Sequence, residues 1–217
     1  MVYVARSSNS NATWTLIAVN VIIFIFTMSL QASSPIEFRR LIFSFGAIPI
    51  YVLAWVEPWR LVTSMFLHAG LEHLLLNMFA LFIFGPEIEM VLGKPRFLLL
   101  YFLSGVMADI VHSYFILMFF PFPTLLTTPA IGSSGAIFGV MAAYALLFPR
   151  RTLVVFPLMI PAPAILVITF IILAQVFLAF LTPFSEVAFA AHVGGFITGL
   201  ILTLIYKPSI RRLPIGY

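Results

Sequence analysis

Ser133 and Ser134 stand between Gly132 and Gly135 in the stretch AIGSSGAIFGV, residues 130–140, in a neighbourhood that is otherwise apolar. A serine hydroxyl becomes a nucleophile when a base lies beside it, and histidine is the side chain best matched to that task near neutral pH. The chain has four histidines: His68, His73, His112 and His192. His192 sits in FAAHVGGFITG, where Gly195 and Gly199 form G-x-x-x-G, and Gly135 and Gly139 repeat that spacing beside Ser134. Paired small residues let two helix backbones approach closely, and such packing would bring Ser134 within hydrogen-bonding reach of His192. His73 and Asn77, at i and i+4, share one face of a helix. Each residue also has a plain structural reading, since serine in a membrane helix commonly bonds to backbone and G-x-x-x-G by itself means packing.

The elements that must position these residues are apolar spans. With 63% hydrophobic and 8% charged residues, the 217-residue chain lacks the polar surface of a soluble globule, and its mean hydropathy of +1.16 places it in a bilayer. Windows of about 20 residues give six spans, near 14–31, 71–88, 97–118, 135–149, 162–181 and 187–206. They are too continuously apolar for the alternation of a membrane barrel, so the predicted fold is an all-α polytopic membrane protein with six transmembrane helices. The run from Trp14 is too long for a signal-peptide core and reads as a retained span. No repeat, low-complexity segment or linker divides the chain, and residues 1–217 are read as one domain. The stretch 32–70 mixes Arg39, Arg40, Trp55, Glu57, Trp59 and Arg60 with apolar residues and reads as a folded interfacial loop. There is no cysteine for disulfides or thiol ligands, and no continuous basic patch for nucleic acid.

Counting Lys and Arg sets the orientation. With a cytoplasmic N-terminus, Arg6, Lys94, Arg96, Arg150, Arg151, Lys207, Arg211 and Arg212 lie inside and Arg39, Arg40 and Arg60 outside, so both termini are expected in the cytoplasm. The fourth span must end by Arg150, which leaves about 15 helical residues, or ~22 Å, against a hydrocarbon core of ~30 Å. Ser134 then lies roughly 8 Å below the outer edge, and His192 and His73 at ~9 Å, counted from Glu186 and Glu87. With Asn77 beside His73, four polar side chains from three helices converge on one depth. Backbone that dips in this way is tolerated only where protein or a water-filled cavity receives it.

Taken together, Trp59-Arg60, HAGLEHLLLN with His68, His73 and Asn77, GSSG from Gly132 to Gly135, and AHVGGFITG from Ala191 to Gly199 resemble the rhomboid family of intramembrane serine proteases. The resemblance covers nearly the whole chain and implies a rhomboid-like six-helix bundle, a serine–histidine dyad and cleavage of other proteins' transmembrane segments. It assigns Ser134 as nucleophile and His192 as base, with the His73 and Asn77 side chains and the Ser134 backbone N–H stabilising the oxyanion. Gly132, Ser133, Gly135 and Phe138 shape the site, Gly139, Gly195 and Gly199 pack helices, Trp59 and Arg60 brace the outer loop, Glu89 is a structural acid, and His68 is structural rather than catalytic. Phe138 departs from the family, many of whose members carry tyrosine there against the histidine. The ring can still pack on His192 without the hydroxyl.

Two other readings are open: a membrane ion or proton transporter, for which Asp109 and His112 at i and i+3 would suit a relay, and a catalytically inactive rhomboid-like binder of membrane proteins. The plainer reading of Asp109 and His112 is a polar contact near the outer end of the third span. H-E-x-x-H is absent, and neither metal nor organic cofactor is expected. The expected partners are membrane lipids and transmembrane substrates with destabilised spans. The expected location is the plasma membrane, with the site opening to the extracytoplasmic side.

Overall fold

The computed structural model describes residues 10–155, 159–185 and 187–207. Arg6, Arg211, Arg212 and Glu186, used above for orientation and depth, lie outside the described residues. The first long helix, α1 (Asn11–Ser33), is followed by three short ones: α2 (Pro35–Phe45), α3 (Pro49–Leu53) and α4 (Arg60–Thr63). A 3-10 turn over Ser64–Phe66 then leads into α5 (Leu71–Leu92) and α6 (Lys94–Phe119). The chain continues through α7 (Pro123–Thr127), α8 (Ser134–Leu147), the strands β1 (Thr152–Val155) and β2 (Ile160–Pro163), α9 (Ala164–Leu181) and α10 (Phe189–Tyr206).

Among the described residues five helices, α1, α5, α6, α9 and α10, are long and apolar enough to cross a membrane. The protein is an integral, multi-pass membrane protein. The expected fourth span corresponds to α8, whose 14 residues extend ~21 Å, less than a bilayer core. Ten of those residues are buried, because α8 is surrounded by α5, α6, α9 and α10 rather than by solvent. A short helix whose ends meet protein does not need to span by itself.

α5 and α6 meet at a single residue. Gly93, at φ +77, ends α5 and starts α6, with its N–H donating to the Glu89 carbonyl at 2.8 Å and its own carbonyl accepting from Phe97 at 3.0 Å. Hydropathy windows place these spans at 71–88 and 97–118 because Glu89, Lys94 and Arg96 end the apolar run, yet the helices continue through those charges. The expected interfacial loop at 32–70 is folded, carrying α2, α3, α4 and the 3-10 turn. Among the described residues the fold also has one element absent from the all-helical expectation, an antiparallel hairpin pairing Thr152 with Pro163 and Val155 with Ile160. Its strands are only four residues long and too short for periodicity to reveal. The hairpin carries the chain from α8 to α9, where Ala164 N–H donates to the Arg151 carbonyl at 2.7 Å.

The main core gathers Leu81 and Ile88 of α5, Phe97, Leu100 and Tyr101 of α6, Ile137 and Val140 of α8, and Ile168 of α9. α8 lies against α10 along the paired glycines. A Cβ on Gly195 would overlap the Gly135 carbonyl, and a Cβ on Gly199 would overlap that of Gly139. On its other side, Gly139 leaves room for the Ser104 side chain and Gly135 for Ala108, both on α6. The two G-x-x-x-G motifs therefore hold three helices at backbone contact distance.

Candidate active site

Ser134 is the first residue of α8, and His192 lies in the first turn of α10. The glycine seam brings these two helix starts together, with Ser134 Oγ 2.8 Å from His192 Nε2. His192 is buried and its ring stacks on Phe138, one turn beyond Ser134, with centroids 4.4 Å apart and planes inclined by 8°. The stacking fixes the plane of the imidazole, although Phe138 has no hydroxyl to offer. On the far side of the ring, His192 Nδ1 lies 2.6 Å from Oε1 of Gln175 on α9. Gln175 was absent from the residues singled out in the sequence. Its one available signal was an uncharged amide within the most apolar of the spans.

The loop ahead of Ser134 is shaped by backbone geometry. Gly132 has φ +127, a conformation side chains disfavour, and a Cβ there would lie 2.7 Å from His73 Nε2 and 3.8 Å from Asn77 Nδ2. His73 and Asn77, on successive turns of α5, thus face Gly132 from one side. Asn77 is buried, and its Nδ2 has no hydrogen-bond acceptor among the described residues. Ser134 N–H, at the first position of α8, belongs to the unpaired amide end of a helix. Ser133 is fully buried with its Oγ 3.4 Å from His68 Nε2. His68 packs edge-on against His73 at 5.1 Å. Burial lowers the His68 imidazole from its ordinary value of 6.5 to about 4, and the neighbouring His73 adds to the shift. Beside the Ser134 hydroxyl is a small cavity bounded by Met65, Ala108, Ile131, Gly132, Gly135 and Ala191. A larger one, lined by His112, Thr128, Ser185 and Phe189, shares Ala130 and Ala188 with it.

The residues expected to be structural make specific contacts. Arg60 is buried, pairs with Glu57, and donates to the carbonyls of Phe43 and Gly46, the latter at 3.0 Å. Its guanidinium also lies over the Tyr51 ring, 5.0 Å from the centroid. Next to Gly46, Ala47 exchanges backbone hydrogen bonds with Ala130, so Arg60 anchors the segment that pins the loop entering the site. Trp59 is 50% exposed, and its carbonyl accepts from Thr63 Oγ1 at 3.1 Å and Thr63 N–H at 2.9 Å. Glu89 reaches from α5 to the start of α1, accepting from Ala12 N–H at 2.9 Å, Thr13 N–H at 2.8 Å and Thr13 Oγ1 at 2.7 Å. Asp109 accepts from Ser64 Oγ at 2.8 Å, and the Ser64 carbonyl accepts from Gly132 N–H at 2.9 Å. The Asp109 carboxylate is therefore tied to the site loop through Ser64.

The family model for the Rhomboid domain matches residues 55–209. YdcA of Bacillus subtilis (strain 168) is 33% identical over 160 residues, covering 72% of this chain and 71% of YdcA. The rhomboid protease AarA of Providencia stuartii is 30% identical over 209 residues, covering 89% of this chain and 72% of AarA. The Inactive RHOMBOID-like protein 8 of Arabidopsis thaliana is 34% identical over 160 residues, covering 73% of this chain, which spans 41% of that protein. The family match takes in most of the chain and every residue that meets around Ser134: the chain belongs to the rhomboid family.

Proposed function

We propose that the protein is a serine endopeptidase that hydrolyses peptide bonds in or near the transmembrane segments of other membrane proteins. The observation that carries this reading is the 2.8 Å contact between Ser134 Oγ and His192 Nε2 at the meeting of two helix starts. Family membership alone does not carry it, since an inactive relative is as similar as AarA.

The chemistry follows from the positions. Ser134 Oγ attacks the scissile carbonyl carbon as its proton passes to His192 Nε2, giving a tetrahedral oxyanion. The Ser134 N–H, Asn77 Nδ2 and His73 Nε2 are the donors for that oxyanion, in a setting where low dielectric makes fixed donors count for more. Breaking the C–N bond returns the proton from His192 to the departing amine and leaves an acyl ester on Ser134. Water attacks the ester, gives its proton to His192, and releases the acid as Ser134 is reprotonated. That water enters through the cavity beside Ser134 and the larger one adjoining it. Lys and Arg placement supports a cytoplasmic N-terminus, six spans counting α8, and a site opening to the extracytoplasmic side of the plasma membrane.

The test is cleavage of a labelled single-span substrate by the purified chain in proteoliposomes. Ser134→Ala and His192→Ala each reduce cleavage to background with the helical fold intact, and the double variant loses little more. Activity near wild type in Ser134→Ala overturns the assignment. A wild-type chain that binds such substrates and cuts none favours the inactive binder.

A further inference from the structure

α9 is the most apolar of the spans, and only Ala164, Ile168 and Ala179 on it are buried. In its sequence, AILVITFIILAQVFLAFL, Gln175 is the single carboxamide, and no residue is charged. An amide placed in hydrocarbon without a partner is costly, and Gln175 has one in His192 Nδ1 at 2.6 Å. The contact lies on the opposite edge of the imidazole from Ser134.

We propose that Gln175 is the positioning residue for His192, fixing both the tautomer and the orientation of the ring that receives the Ser134 proton. This rests on the serine–histidine reading of the site. A neutral imidazole carries one N–H hydrogen, on Nδ1 or on Nε2. To accept from Ser134 Oγ, Nε2 must present its lone pair, so the hydrogen sits on Nδ1 and needs an acceptor. Gln175 Oε1 is the group at that position. Phe138 restrains the ring plane by stacking, but a stacked ring can still rotate within its own plane. Contacts at both Nε2 and Nδ1 stop that rotation. As His192 takes the Ser134 proton it becomes a cation with two donors, and the Gln175 oxygen continues to accept from Nδ1. The amide thus stands where an acidic residue stands in a serine–histidine–aspartate arrangement. It supplies the hydrogen bond without the negative charge. Among the described residues, the titratable groups facing His192 from other helices are His73 of α5 and His112 of α6, while the Asp109 carboxyl of α6, held by Ser64, lines the cavity beside Ser134.

Substitution at Gln175 separates this role from simple packing. Gln175→Leu keeps similar volume and removes the acceptor, and it lowers kcat about 10-fold or more with little change in KM. Gln175→Glu keeps an acceptor that cannot act as a donor when ionised. It restores most of the lost kcat, and its carboxylate favours the imidazolium, moving the acid limb of the kcat/KM profile to higher pH than in wild type. Labelling of Ser134 by a fluorophosphonate, followed across pH in the same proteoliposomes, reports the same limb without a protein substrate. A Leu variant within twofold of wild-type kcat overturns the proposal. So does a Glu variant no better than Leu whose acid limb coincides with that of wild type. Ser134→Ala is measured alongside: if it remains active, the dyad reading fails and Gln175 with it. If it is dead while Gln175→Leu is normal, only the positioning role fails.

Discussion

Asn77 Nδ2 is a buried amide donor without an acceptor among the described residues, and it faces the glycine two positions before Ser134. Burying an unpaired donor destabilises a fold, so an acceptor that arrives only during reaction gives the group a purpose. Asn77→Ala is expected to lower turnover about 10- to 1000-fold, while Ser134 still titrates with a fluorophosphonate; unchanged turnover would reduce Asn77 to a packing residue. At this scale most of the site was legible in the sequence. The i and i+4 spacing of His73 and Asn77 fixes a shared helix face, and the matched glycine pairs place Ser134 and His192 on facing helices whatever the side-chain details. Gln175 was not legible. Whether a lone amide on α9 meets lipid or His192 depends on the rotation of α9 about its own axis, which tertiary packing decides. Asp109 and His112 illustrate the same limit, because their spacing suggests a pair while the Asp109 carboxylate is bonded to Ser64 of another element.

Helix ends hold the information that hydropathy windows miss. α1 has no side-chain cap of its own, and its second and third amides, Ala12 and Thr13, are taken up by Glu89 from α5. A carboxylate suits the positive end of the α1 dipole and accepts a third bond from the Thr13 hydroxyl. Glu89 is thus a clamp between the start of α1 and the C-terminal end of α5, a role its position before Gly93 suggests only in outline. Glu89→Ala leaves these donors unsatisfied and is expected to destabilise the protein by about 1–3 kcal/mol, with Glu89→Gln intermediate because its NH2 confronts backbone N–H groups. Thermal unfolding in detergent micelles measures both, and an unchanged midpoint in Glu89→Ala would show the clamp to be dispensable. The hairpin between α8 and α9 was invisible in the sequence for a related reason. Its strands, TLVV and IPAP, join two helix ends and are too short to carry a readable alternation.

For the molecule as a whole, the short α8 is the feature with the largest consequence. Its 14 residues reach ~21 Å, so in the proposed orientation, with Arg150 and Arg151 at the cytoplasmic surface, Ser134 would lie below the outer membrane surface. A substrate must bring its backbone down to that depth, and an intact transmembrane helix hides its carbonyls in i to i+4 hydrogen bonds. Local unwinding is therefore part of the proposed reaction. Glycine or proline near the outer end of a substrate span weakens the helix where it must open. The cavity at Ser134 is small and bounded by Met65, Ala108, Asp109, Ile131, Gly132 and Ala191 among others, and a small residue is expected at the scissile position in preference to a branched one. Two single-span substrates that differ only below the outer boundary, one with a Gly-Pro step and one with Leu-Leu, put this to the test in proteoliposomes. The first is expected to be cut at least ~10-fold faster, since unwinding it removes fewer helix hydrogen bonds, and mass spectrometry of the products should place the new ends in the outer half of the span. Equal rates for the pair would mean that unwinding does not limit the reaction. Cleavage confined to the cytoplasmic half would reverse the orientation drawn from Lys94, Arg96, Arg150 and Arg151, and with it the side from which water and substrate reach Ser134.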